Sequence, residues 1–160
     1  MKQYRATASR TIEAPAELVY RILADYRRGH PSILPKPYFL SLEVERGGFG
    51  AGTVINFRMK LLGRIQSFRA AITEPEQGRV LVETSLGEGG EATTFIVEPV
   101  NENKRTDVTI TTERTTVRDG APGALERLLT TMLLQRIYKK ELKELARVCE
   151  GTLTSGVEGA

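Results

Sequence analysis

The chain carries one cysteine, one histidine and no tryptophan among its 160 residues. A lone thiol, Cys149, has no internal partner, so burial and hydrogen bonding rather than disulfides must hold the fold, and a cytoplasmic protein is expected. One histidine and one cysteine far apart in sequence would need several carboxylates to complete a metal site; no metal and no other cofactor is expected. No apolar run approaches the ~20 residues that span a bilayer, which argues against stable membrane insertion. The opening MKQYRATASRTIE also lacks the apolar stretch of a signal peptide. There is no GxSxG elbow and no cysteine-histidine signature of a nucleophilic enzyme. Excess charge is scarce too: 23 Lys and Arg against 20 Asp and Glu leave +3, too little to imply a nucleic-acid partner. The basic residues that do gather, Arg136, Lys139, Lys140, Lys143 and Arg147, are interrupted by Glu141 and Glu144 and read as a solvated helix face.

What is present is a pattern of alternation framed by two helical stretches. Residues 4 to 12, YRATASRTI, are small and β-branched and read as a strand. After Pro15, Leu18, Val19, Ile22 and Leu23 recur on one side of a helix expected over about 15–26. Gly29 and Pro31 stop it, and SILP leaves room for a turn or so of a second helix before Pro35. From 38 to 114, six strands fit between Gly- and Asn-rich turns. Their inward sets are Leu40, Leu42, Val44; Ile55, Phe57, Met59; Phe68, Ala70, Ile72; Val80, Val82; Phe95, Val97; and Val108, Ile110, with Glu83 among the residues of outward parity. The loop GGFGAG, Gly47 to Gly52, joins two strands rather than opening a helix, so it reads as a hairpin turn and not a phosphate loop. Past Asp119-Gly120, a helix of about 124–150 has no internal Gly or Pro. Its apolar face changes side midway: Leu125, Leu128, Leu129, Met132 and Leu133 form one stripe, Tyr138, Leu142, Leu145 and Cys149 nearly the opposite one. The helix either bends or has its first half covered twice. One domain over 1–150 is expected, with GTLTSGVEGA, 151–160, as a flexible tail.

The order β-αα-β6-α, with TIEAPAELVYRILADYRRGHPSILP at the first strand-to-helix junction, GAGTVINFRM in the strands and LQRIYKKELKEL near the end, resembles the START-like helix-grip (SRPBCC) superfamily. Within it the chain is most similar to the polyketide cyclase/dehydrase and lipid-transport branch. The resemblance covers about residues 4 to 149 and identifies the fold better than the activity. It implies an α+β helix-grip fold, a curved seven-stranded antiparallel sheet wrapped around a long C-terminal helix. It further implies an internal cavity that binds or transports an apolar small molecule such as a lipid, a polyketide or an aromatic-like compound. Two alternatives stand beside that expectation: a polyketide aromatase/cyclase-like enzyme acting on a poly-β-ketone, and a protein-interaction module, including a homodimer through the leucine-rich first half of the last helix.

The inward sets then supply an expected cavity lining: Ile55, Phe57, Met59, Phe68, Val82, Phe95 and Ile110 from the sheet, Met132 from the last helix, and Gln66, Thr84, Thr93 and Thr112 as polar points. Catalytic residues remain unassigned, the candidates being His30, Tyr26 and Arg114, with Tyr38 a similar case to Tyr26. His30, at the cavity mouth by the resemblance, reads either as a proton donor to a ligand carbonyl or as a loop histidine held between Tyr26 and Pro31. Tyr26 and Tyr38 read either as amphipathic wall residues or as holders of a ligand oxygen. Arg114 reads either as an inward cation for a carboxylate or enolate, or as a residue past the strand's end paired with a surface Glu.

Overall fold

The computed structural model describes residues 2–116 and 121–158. Asp119 and Gly120 of the expected turn lie outside the described residues. The elements come in the expected order: β1 (Lys2–Ile12), α1 (Ala16–Ala24), α2 (Gly29–Ile33), β2 (Phe39–Arg46), β3 (Val54–Leu61), β4 (Arg64–Glu76), β5 (Val80–Ser85), β6 (Ala92–Val100), β7 (Arg105–Thr116) and α3 (Ala121–Glu158). All seven strands form one antiparallel sheet in the order β1-β7-β6-β5-β4-β3-β2, open between its two edges β1 and β2. β1 and β7 pair along their whole length, from Lys2 opposite Thr116 to Ile12 opposite Thr106. Breaks of register between Phe39 and Ser41, Val44 and Arg46, and Thr73 and Glu76 add the local twist that curls a sheet around a helix.

The inner face is apolar because the strands alternate. Ile55 and Met59 of β3, Ala70 and Ile72 of β4, Phe95 and Val97 of β6, and Val108 and Ile110 of β7 are all buried. Against them lies the second half of α3, whose buried stripe is Leu134, Ile137, Tyr138, Leu142, Leu145 and Cys149. Ala6 and Ala8 of β1 are buried beneath it, and their small side chains allow the helix to approach that strand closely. Two inward sets differ from the expectation. In β2 the register break sits at Leu40, which turns to solvent while Phe39 packs against the core. In β5 the inward residues are Leu81 and Glu83, not Val80 and Val82; Leu81 faces Phe95 across the pair and is fully buried. Val80-Leu81-Val82 is apolar at both parities, so alternation alone does not choose, and the charge on Glu83 pointed the wrong way.

The leucine stripe of α3 is neither bent inward nor covered: Leu125, Leu128, Leu129 and Met132 are 44–58% exposed. The expected tail also continues the helix to Glu158, its residues 151–155 exposed. Adding a residue to an existing helix requires no new nucleus, and the hydroxyls of Thr152 and Thr154 donate to the carbonyls of Val148 and Glu150. No helix among the described residues is long and apolar enough to cross a membrane.

Candidate functional site

α1 is held at both ends, and its anchored C-terminal end sets the course of the chain into α2. At its start Pro15 offers no side-chain cap, so Asn103, in the β6–β7 turn with φ +62°, accepts a hydrogen bond from the Ala16 amide at 2.9 Å. At its end the GGFGAG loop, which does join β2 to β3, closes on the chain. The Tyr26 amide donates to the Gly48 carbonyl and the Gly50 amide to the Ala24 carbonyl, each at 2.9 Å. Gly29 packs so tightly that a Cβ there would sit 2.5 Å from the Ile22 carbonyl oxygen. α2 is thereby folded back under α1, and His30, its second residue, is carried into the interior.

His30 is 2% exposed. Its Nδ1–H donates to the Leu23 carbonyl at 2.7 Å, because a carbonyl only accepts, and this orients the other nitrogen toward the sheet. Its ring stacks on Tyr26, centroids 4.6 Å apart, and meets Phe95 edge-on at 5.5 Å. Nε2 faces two carboxylates, Glu83 Oε1 at 3.6 Å and Glu141 Oε1 at 3.9 Å. Tyr26, wholly buried, donates its hydroxyl to the same Glu83 oxygen at 2.8 Å. Burial first, then the Glu83 charge, holds the Tyr26 phenol well above its ordinary range. The same two causes in the same order push the Glu141 carboxyl well up.

His30, Glu83 and Glu141 line a cavity of about 160 Å³ between the sheet and α3. Its apolar wall comprises Phe39, Leu42, Ile55, Phe57, Met59 and Phe68, with Phe57 and Phe68 stacked at 5.1 Å. It runs outward between exposed Leu62, in the β3–β4 turn, and Glu126 of α3. A second polar group lies on β1, β6 and β7. Arg114, inside β7 opposite Tyr4, approaches Glu91 at 3.7 Å. Burial raises the Glu91 carboxyl against the opposing pull of Arg114. Next to it the Thr93 and Thr112 hydroxyls share a 2.7 Å hydrogen bond, and Thr112 also bonds the Tyr138 hydroxyl.

Of the residues expected at the cavity, Ile55, Phe57, Met59, Gln66, Phe68, Thr93 and Phe95 border it, as do His30 and Arg114. Tyr26 stands one layer behind, reaching the site through Glu83. Ile110 and Thr112 point inward but are fully buried, and Thr112 reaches the cavity through the hydroxyls of Thr93 and Tyr138. Val82 and Thr84 lie on the other face of β5, and Met132 sits on the outer side of α3 beside Arg10 and Lys139; Leu134 takes the place expected of it. Tyr38 meets the Lys140 ammonium 5.2 Å from its ring centre. Arg114 is not past the strand's end, since β7 runs to Thr116; it borders the cavity and lies 3.7 Å from Glu91.

Glu141 is the main correction: placed on a solvated face, it is 2% exposed and its Oε1 has no hydrogen-bond partner. Its spacing of three from Tyr138 and four from Leu145 puts it on the buried stripe, a signal the charge pattern masked. Cys149 is buried and its thiol is pushed up to about 12, chiefly by burial, which leaves it a poor nucleophile.

The pattern of the family described as polyketide cyclase / dehydrase and lipid transport matches residues 3–150. The chain belongs to this family. With it comes the START-like, SRPBCC superfamily, whose solved members share the fold. The KanY protein superposes with a TM-score of 0.79 at 24% identity, covering 94% of this chain and 99% of that one. The Zhui aromatase/cyclase from Streptomyces sp. R1128 gives 0.76 at 20% identity, covering 93% and 94%. A START superfamily protein from Mycobacterium smegmatis gives 0.70 at 15%, covering 93% and 99%. At these identities the likeness concerns the fold. Among curated proteins none matches the sequence.

Proposed function

We propose that this family member binds a small apolar molecule in the cavity between its sheet and α3. The observation that carries the reading is the cavity itself: about 160 Å³, with one wall of phenylalanines and aliphatic side chains and another of polar groups that includes His30, Glu83 and Glu141. That volume is close to the roughly 150 Å³ void that accommodates benzene in another protein, so the fitting ligand is about one ring in size rather than a sterol or a long polyketide chain. The lone cysteine supports a cytoplasmic setting. Calorimetric titration with toluene, alongside a neutral environment-sensitive dye, tests the proposal. Saturable binding is expected. It should weaken at least about fivefold in Phe57→Trp or Phe95→Trp, which fill the space. Equal affinity in a folded Trp variant would put the binding elsewhere.

A second reading, polyketide cyclase-like catalysis, is favoured by one feature: His30 Nε2 faces the cavity while its Nδ1–H is anchored, the arrangement of an oriented proton-transfer group. If a poly-β-ketone is the substrate, His30→Gln should lower kcat by roughly a hundredfold with KM little changed. A change in KM alone would leave His30 a binding residue.

A further inference from the structure

Inside the cavity two carboxyl groups, Glu83 and Glu141, converge on one imidazole nitrogen. The Leu23 carbonyl accepts from His30 Nδ1–H, which turns the other ring nitrogen, Nε2, toward the sheet. It faces Oε1 of Glu83 at 3.6 Å and Oε1 of Glu141 at 3.9 Å. Glu83 receives the Tyr26 hydroxyl and retains further lone pairs; Glu141 Oε1, fully enclosed and bordering the cavity, receives no hydrogen bond. Carboxyl groups recur along the described lining, with Glu91 beside Arg114 at one place and Glu83 and Glu141 beside His30 at another. A hydrocarbon would leave Glu141 Oε1 without a hydrogen-bond partner. A protonated amine brings three N–H donors and a positive charge, and the Phe95 ring beside His30 supplies an apolar surface for the rest of the ligand.

We propose that the cavity takes a single-ring aromatic amine whose ammonium group sits among His30 Nε2, Glu83 and Glu141. This rests on the reading of the cavity as a binding site and names the class of its ligand. Binding has a proton balance. The Glu141 carboxyl, pushed up by burial and by Glu83, holds a proton in the empty site. An arriving ammonium replaces that proton, so the neutral acid and the cation give a carboxylate–ammonium pair plus one proton released to solvent. Affinity therefore rises with pH while the amine stays charged. The groups that face Glu141 are His30 from α2, Glu83 from β5, Tyr26 from the α1–α2 connection and Tyr138 one turn earlier on α3, with Glu91, Arg114 and Tyr4 farther along the cavity. A carbonyl ligand accepting from neutral Glu141 would give the opposite slope.

The test is calorimetry on the full chain with benzylamine, benzyl alcohol and toluene from about pH 5.5 to 7.5, in two buffers of different ionisation heat. Benzylamine is expected to bind about tenfold tighter than either neutral probe, to tighten toward pH 7.5 and to release a proton. In Glu141→Gln, checked for folding by its melting curve, the benzylamine preference should fall to within about threefold and the proton release should vanish. If that variant does not fold, proton release in the native chain decides alone. Neutral probes that bind as well as benzylamine, or tighten as pH falls, overturn the amine and leave the cavity reading standing. Failure of all three probes overturns both.

Discussion

A carboxyl group buried without a hydrogen-bond partner costs stability, and Glu141 is such a group. Its raised folded-state affinity for a proton means that the native chain holds more protons than the unfolded one above the ordinary carboxylate range. Stability attributable to Glu141 is therefore full in acid and lost as pH rises toward the folded value, and Glu91 adds to the trend in the same direction. Glu141→Gln should stabilise the empty protein by about 1 kcal/mol at pH 7.5, roughly 2–4 °C in Tm, and by little at pH 4.5. Melting curves at the two pH values check this; a loss of stability at pH 7.5 would show that the charge has a partner. The neighbouring Thr112 works differently: its hydroxyl links Thr93 to Tyr138, and Thr112→Val should cost about 1–3 kcal/mol by leaving buried polar atoms unanswered, measurable by urea denaturation. Single residues such as these were the least legible in the sequence. Glu83 and Glu141 are charged, and charge is ordinary evidence for exposure; for Glu141 the spacing from Tyr138 and Leu145 argued otherwise, whereas for Glu83 only Tyr26 and His30, 57 and 53 positions away in the chain, reverse it.

Elements were more legible, because periodicity accumulates over many residues. The seven strands and three helices come in the order that alternation and helical spacing give, and differences arise at the end of α3, which runs on through the expected tail to Glu158, where the pattern is degenerate, as in Val80-Leu81-Val82, or where a bulge shifts parity, as at Leu40. The split stripe of α3 was visible too, but not which half meets the sheet. Truncation separates the halves: Leu142→Ala or Leu145→Ala should cost about 2–5 kcal/mol, Leu128→Ala within about 0.5. Comparable costs in thermal or denaturant unfolding would mean that the leucine stripe is covered. The α1–α2 corner carries its own prediction. A methyl at Gly29 would press on the Ile22 carbonyl, so Gly29→Ala should cost about 1–3 kcal/mol and loosen the His30 ring from Tyr26 and Leu23. Chemical shifts of the His30 ring would report the second effect; an unchanged ring environment would show that the corner adapts without moving it.

At the scale of the molecule, an open curved sheet grips one half of a long helix and leaves unfilled space beside it. The strands provide an apolar wall, while the turn-and-helix segment after α1 brings the polar groups in from one side. The family and its fold are set by that order of elements; the occupant is set by the chemistry of the space. NMR of the isotope-labelled chain with toluene tests the central claim most directly. The account predicts intermolecular NOEs from the toluene methyl and ring to Ile55, Phe57, Phe68 and Phe95, with none to Leu125, Leu128 or Met132. NOEs confined to the exposed leucine stripe, or no saturable shift at any cavity residue, would contradict it.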